Sequence, residues 1–362
     1  MSLKGVIMAG GKGTRLRPIT YSIPKPLVPI AGKPCIGYML SSFHNAGIND
    51  VIITTGYKFD ALITGVLDFK EKDQHVLFSV EKEPAGTAGS IKLASMFIDD
   101  TFVVGSGDIL SDFDVGEMIR SHKEHDAKVT VALTKVDDPS QFGIAELEKG
   151  KIKRFLEKPS PDQTFSKLVN AGAYVLEPEI LDLIPADRPY DFARDLFPDL
   201  IARNIEMHGF VINGTWLDTG RPSDMIRANQ LMTEKYGTET RSDHVNGKVI
   251  LNVGMHTLSS VSITGSTFLG KEVQVGESTN ISSSAIYDNV VIGKNVQIRD
   301  SMVMDHVTIA EGTRIEKSVI MRDTSIGKGC EISESVLSPG LKLHNNSRVY
   351  NVSLSSGNED DD

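Results

Sequence analysis

Val6-Ile7-Met8-Ala9-Gly10-Gly11-Lys12-Gly13-Thr14-Arg15-Leu16 runs from four apolar residues straight into a glycine-rich, cationic loop. A short apolar run that ends at glycine has the character of a buried strand. The glycines let backbone N–H groups approach an anion closely, and Lys12 and Arg15 add positive charge. Two familiar phosphate loops are excluded. The pattern G-x-x-x-x-G-K-[ST] fails because Thr14 follows Gly13, and G-x-G-x-x-G fails because Leu16 occupies the third glycine position.

The same grammar continues outward. Val51–Thr54, Val76–Val80, Phe102–Val104 and Val129–Leu133 read as further strands. Helical patterns lie between them, from Pro34 to Gly47, Ala88 to Phe97 and Val115 to His125. Strand and helix in alternation predict an α/β domain with a mainly parallel sheet covered on both faces. Ligands bind such sheets beyond the carboxyl ends of the strands, so the loops there are where chemistry is expected. A last helix is expected over Pro222–Tyr236, with proline near its start and Gly237 after its end. Residues 1–237 are thus read as one domain and the polar stretch 238–247 as a linker.

Beyond it the period changes. Val275, Ile292, Ile309, Ile326 and Leu343 recur every 17 residues, as do Ile281, Ile298, Ile315, Ile332 and Val349. Leu269, Ile286, Val303, Ile320, Leu337 and Leu354 form a third series. Three interlocked series describe a solenoid whose coils have three short sides, each turning one aliphatic residue inward. Gly293-Lys294-Asn295 and Gly327-Lys328-Gly329 suit its corners. This solenoid is assigned to 248–354 and resembles the left-handed parallel β-helix of hexapeptide repeats. The handedness comes from that resemblance alone. Residues 355–362 are read as an acidic, disordered tail.

Composition narrows the function. A net charge of -10 argues against a nucleic-acid partner. No apolar run approaches the roughly 20 residues that span a bilayer, and no secretory signal is read at the N-terminus. Cys35 and Cys330 lie far apart without metal-ligand spacing, as expected of reduced packing residues in a cytoplasmic protein.

The loop extends through Arg17-Pro18 and Pro24-Lys25-Pro26-Leu27-Val28-Pro29-Ile30 to Lys33-Pro34. It is followed in order by Gly86-Thr87-Ala88-Gly89, Gly107-Asp108, Phe142-Gly143, Glu157-Lys158-Pro159, Asn170-Ala171-Gly172 and Trp216-Leu217-Asp218-Thr219-Gly220. Together these resemble the sugar-1-phosphate nucleotidyltransferases, which implies a Rossmann-like catalytic domain over most of residues 3–232. The reaction so implied is attack by a sugar 1-phosphate on the α-phosphorus of a nucleoside triphosphate. Such a phosphate has a second pKa of about 6 and needs no general base at neutral pH. The obstacle is charge, which cations and backbone amides around the phosphorus relieve.

The resemblance implies a role for each matched residue. Ala9, Gly10, Gly11, Gly13, Thr14, Arg15, Gly86 and Thr87 are expected at the nucleotide, with Arg15 and Lys25 neutralising its phosphates. Lys158 is expected to grip the sugar phosphate, and Gly143, Glu157, Asn170 and Gly172 to bind the hexose. Asp108 and Asp218 are the expected Mg²⁺ ligands. Asp112 and Asp114 are better read as helix caps. Glu81, at the family's base-reading position, could accept from the adjacent N1–H and N2–H₂ donors of guanine. With Glu83–Gly89 and Gly107–Asp112, it favours GTP and mannose 1-phosphate, as in mannose-1-phosphate guanylyltransferases. UTP or dTTP with glucose 1-phosphate is the alternative. An acyltransferase activity using His256, His306 or His344, and a non-catalytic regulatory subunit, are weaker readings. The solenoid is expected to mediate homo-oligomer contacts, because its open end leaves strand edges to cover.

Overall fold

Lys4–Met8 becomes a central strand because apolar side chains occupy both of its faces, with Val6 and Ile7 fully buried. In the computed structural model, which describes residues 3–252 and 260–355, it pairs in parallel with Asp50–Thr55 and Phe102–Ser106. The complete sheet runs His75–Val80, Asp50–Thr55, Lys4–Met8, Phe102–Ser106, Leu168–Leu176, Val129–Lys135, Met207–Val211, Lys151–Glu157, Gly143–Glu148. The first four strands are mutually parallel. Leu168–Leu176 then enters antiparallel to both of its neighbours, and Gly143–Glu157 adds an antiparallel hairpin. The sheet is therefore mixed, where the sequence reading expected it mainly parallel. Leu168–Leu176 escapes the apolar strand pattern because Asn170 and Gly172 interrupt its run. The hairpin has no continuous apolar run because its strands alternate with charge; Lys149 and Gly150, at φ 50° and 80°, form its two-residue turn.

The expected helices appear as Cys35–Asn45, Thr87–Leu93 and Val115–Glu124. Asp114 caps the third by accepting from the Glu117 N–H at 2.9 Å. Under the sheet, Phe155, Tyr174, Phe192 and Phe197 pack as an aromatic cluster with ring centroids 4.6 to 5.8 Å apart. Both cysteines are free and buried. Among the described residues no helix is long and apolar enough to cross a membrane.

Contacts divide the chain into two units whose borders differ from the expected ones. The first comprises Met1–Lys12 with Cys35–Asp218; the second comprises Gly13–Pro34 with Thr219–Asp362. Much of the signature loop and the helix Pro222–Tyr236 thus belong with the solenoid. The expected linker carries structure as well, because Thr238–Arg241 pairs antiparallel with Val245–Leu251. Strands Val245–Leu251, Ser262–Thr264 and Thr267–Leu269 start the first coil.

Each later coil repeats the register at 17 residues, so that Ile281 faces Ile298, Ile286 faces Val303 and Ile292 faces Ile309. All three aliphatic series point into one buried core, as the period predicts. Corners are turned by residues in the left-handed region such as Asn289, Asn295 and Asn346, at φ 57° to 60°. Ser284, Ser301, Ser318 and Ser335 form an internal ladder, each hydroxyl accepting from the backbone N–H one coil on at 3.1 to 3.3 Å.

One outer side of the solenoid is apolar too. Phe268, Ala285, Met302, Val319 and Val336, and with them Tyr287, Met304 and Met321, are buried beside Leu16, Ile19, Ile23, Val28, Met225 and Ile226. These outward series keep the same 17-residue interval and mark a docking side that the inward series alone did not reveal. The other two sides present Gln297, Arg299, Thr308 and Lys342. His256 and the acidic tail residues Asn358–Asp362 lie outside the described residues.

Candidate active site

In the first unit, two backbone bonds fix where the strand ends open. The Ala9 N–H donates to Thr54 O at 2.8 Å, and the Gly107 N–H donates to Met8 O at 2.9 Å. The loop after Lys4–Met8 and the residue Asp108 therefore leave adjacent strands at the same carboxyl edge. Gly10 and Gly11 are exposed there. Ser106 Oγ donates to Asp108 Oδ1 at 3.1 Å. Asp218 reaches the same place through a short ribbon in which Trp216, Leu217 and Asp218 pair antiparallel with Ser111, Leu110 and Ile109. Two carboxylate residues 110 positions apart in sequence (218 − 108) thus end one register step from each other.

Glu81 stands beside the loop. An ideal Cβ added to Gly10 would lie 3.3 Å from Glu81 Oε1. Glu81 Oε2 accepts from the Ala85 N–H at 3.1 Å. Burial pushes its carboxyl pKa up, and the Ala85 bond offsets only part of that.

Gly86 has φ +77°, and a Cβ there would lie 2.7 Å from the backbone N and O of Tyr190, so only glycine fits. Thr87 is already engaged: its N–H and Oγ1 both donate to Asp191 Oδ1 at 3.0 Å, and Oγ1 accepts from the Phe192 N–H. Its side chain thereby braces the Asp191 segment.

The residues expected at the hexose cluster around the inserted strand. Glu157 lies opposite Gly143 in register, close enough that a Cβ on Gly143 would come within 2.8 Å of Oε2. Burial raises the Glu157 pKa; Lys158 and Arg194 pull it back down and Asp191 adds to the rise. Lys158 is exposed at φ +48°, its N–H donating to Phe142 O at 3.0 Å.

Asn170 Oδ1 accepts from the Gly172 N–H at 2.9 Å, and Asn170 Nδ2 donates to the Tyr174 hydroxyl at 3.0 Å. A register break between Asn170 and Tyr174 bulges the strand there. Gly172, at φ +76°, sits against Ile109 and Ser106. Trp216 Nε1 donates to Ala171 O at 3.0 Å, and its ring packs edge-on against Phe142 at 5.2 Å. The bulge and the two-stranded ribbon therefore interlock.

Asp191 and Arg194 lie in the electrostatic surroundings of Glu157 without belonging to any of the matched motifs. Asp187, Asp191, Asp195 and Asp199 recur at four-residue intervals and look like a solvated helical stripe, which hides Asp191.

Arg15 and Lys25 belong to the second unit. Arg15 is exposed in the turn Thr14–Leu16, while Lys25 is only 6% exposed. Gly13, at φ +61°, holds the turn: its carbonyl accepts from Thr20 Oγ1 at 3.0 Å and from the Leu16 N–H at 2.9 Å.

The Nucleotidyl transferase family model matches residues 4–235, and the model of the EIF2B subunit epsilon LbH domain, a left-handed β-helix, matches residues 247–354. A mannose-1-phosphate guanyltransferase of Yarrowia lipolytica is 39% identical over 230 residues, and the match spans 62% of each protein. A mannose-1-phosphate guanylyltransferase of Mycobacterium tuberculosis is 33% identical over 79% of this chain and 80% of its own length. Among solved structures, HddC from Yersinia pseudotuberculosis complexed with GMP-PN is 29% identical, with a TM-score of 0.55 over 64% of this chain and 99% of that one.

Proposed function

The chain belongs to the nucleotidyl transferase family, and from that premise we propose that it transfers GMP from GTP to mannose 1-phosphate, forming GDP-mannose and pyrophosphate. The observation that carries the reading is the ribbon register that sets Asp218 beside Ile109, at the strand edge where the signature loop begins. The guanine preference is supported by Glu81, whose carboxylate lies against the Gly10 backbone, and by the guanylyltransferase relatives.

Asp108 and Asp218 offer hard oxygen donors that fit Mg²⁺, and both would hold it. Among the described residues no group of three or more His, Cys, Asp or Glu could hold a metal ion, so phosphate oxygens and water would complete the shell. When bound, the ion neutralises phosphate charge and withdraws electrons from the reacting phosphorus.

The protein's own groups do the rest. Arg15 and Lys25 counter the triphosphate charge, with the guanidinium able to hold two phosphate oxygens. Lys158 orients the attacking sugar phosphate, which arrives largely dianionic and needs no proton removed. Glu157 and the Asn170–Gly172 bulge accept from and donate to the hexose hydroxyls. Among the described residues, the coil ending at Ser353–Leu354 leaves strand edges that a second copy of the chain would cover.

A pyrophosphate-release assay tests this by crossing GTP, UTP, dTTP, ATP and CTP with mannose, glucose and N-acetylglucosamine 1-phosphates, with and without Mg²⁺. GTP with mannose 1-phosphate should give the fastest metal-dependent release. A clear preference for UTP or dTTP would overturn the guanine assignment.

A further inference from the structure

Asn229 sits at the middle of the helix Pro222–Tyr236 and is 2% exposed. A buried primary amide must satisfy two donors and an acceptor, because each group left bare keeps its desolvation cost with nothing to offset it. Here it is satisfied by three separate elements. Oδ1 accepts from the Ala31 N–H at 2.8 Å and from the Tyr287 hydroxyl at 2.7 Å. Nδ2 donates to Met225 O at 2.9 Å and, more weakly, to Pro29 O at 3.4 Å. One side chain therefore joins the helix, a coil of the solenoid and the hairpin Pro29–Pro34.

That hairpin closes the segment Gly13–Pro34, which also carries Arg15 and Lys25. The segment's own core residues Leu16, Ile19, Ile23 and Val28 pack on the apolar outer side of the solenoid. Such contacts attract the segment but set its register loosely, because apolar packing has little directionality. Hydrogen bonds to Ala31 N–H and Pro29 O define it by direction as well as distance. The helix is held to the solenoid independently, through Gln230 Nε2 donating to Ser283 O at 2.8 Å and to Asp300 Oδ1 at 3.1 Å. The amide is thus supported from behind.

We propose that Asn229 is a positioning residue for nucleotidyl transfer: it locks the hairpin Pro29–Pro34 to the solenoid and so sets where the segment presents Arg15 and Lys25. The proposal rests on the roles assigned to those cations above. It gives the solenoid a part in turnover besides any in assembly. A misplacement of about 1 Å in a charge-stabilising group costs on the order of a hundredfold in rate, so loss of the lock should be visible in kcat.

The test uses the full chain as wild type, Asn229→Leu and the milder Tyr287→Phe, which removes the hydroxyl that donates to Asn229 and leaves the helix intact. Two readouts are taken: amide hydrogen exchange across residues 13–34, and kcat and KM for GTP and mannose 1-phosphate separately. In Asn229→Leu the segment should exchange faster, above all at Ala31, while Lys4–Met8 is unchanged. kcat should fall at least about tenfold, with KM for mannose 1-phosphate within about twofold. Tyr287→Phe should move both readouts in the same direction by less. Wild-type exchange in both variants would overturn the lock. Faster exchange with unaltered kcat and unaltered KM for GTP would overturn its link to catalysis. A wild-type chain inactive with every triphosphate would instead overturn the proposed function, and exchange alone would then judge the anchoring.

Discussion

Asp218 pairs with Ile109 in an antiparallel ribbon and so comes to rest one residue from Asp108. Neither aspartate could be placed beside the other from its local surroundings, and the ribbon that joins them is only three residues long on each side. Its register is held by the Trp216 bond to Ala171 and the Asp112 bond to the Thr215 N–H at 2.8 Å.

Asp108→Asn and Asp218→Asn should each lower Mg²⁺-dependent kcat by about a thousandfold, since a neutral amide is a poor ligand for a hard cation. Thermal unfolding should move little. Pyrophosphate release across a Mg²⁺ titration checks this, and near-normal turnover in either variant removes that residue from the metal site.

Glu81 should tie guanine use to pH. Its pKa is raised by burial, so the fraction carrying charge grows as pH climbs above the usual carboxylate range. Only the charged form accepts from both guanine donors, so kcat/KM for GTP should rise as pH climbs above the usual carboxylate range and then level. Glu81→Gln should keep only the rise that the sugar phosphate's own ionisation imposes, and cost about ten- to a hundredfold in kcat/KM for GTP. Steady-state kinetics across pH decide it.

Gly172→Ala should destabilise the first unit by about 1–3 kcal/mol, because φ +76° is unfavourable for alanine and the new methyl would lie 2.8 Å from Ile109 Cδ1. The push falls on the residue next to Asp108, so kcat should drop as well. Denaturant unfolding and turnover are measured on the same variant.

The two kinds of outward position on the solenoid should respond in opposite ways. Met302→Lys buries a charge on the covered side and should cost about 3–5 kcal/mol. Gln297→Lys, on an exposed side of the same coil, should stay within about 0.5 kcal/mol. Urea unfolding of both variants tests whether the covered side is the one bearing Phe268, Ala285 and Met302.

Much of the catalytic half was legible because its chemistry is written in contiguous motifs. The loop at Gly10–Leu16, the Gly107-Asp108 pair and the Glu157-Lys158 pair each sit where a strand or its neighbour ends. Thr87 shows what such matching leaves out: its hydroxyl donates to Asp191, far along the chain, and no motif marks that bond. Asp191 and Arg194 had no local mark, since a charge with solvated neighbours reads as surface wherever the fold later takes it.

By itself the chain's sequence determined the strand–loop start, the coil length of the solenoid and which aliphatic residues turn inward, because burial leaves a period that local geometry repeats. Tertiary structure alone decided that Leu168–Leu176 enters the sheet antiparallel, that Asp218 pairs with Ile109 through a three-residue ribbon, and that the segment Gly13–Pro34 belongs with the solenoid. The reason is physical: a periodic apolar pattern records that a face is covered, but the identity of the covering element depends on packing between residues far apart in the chain.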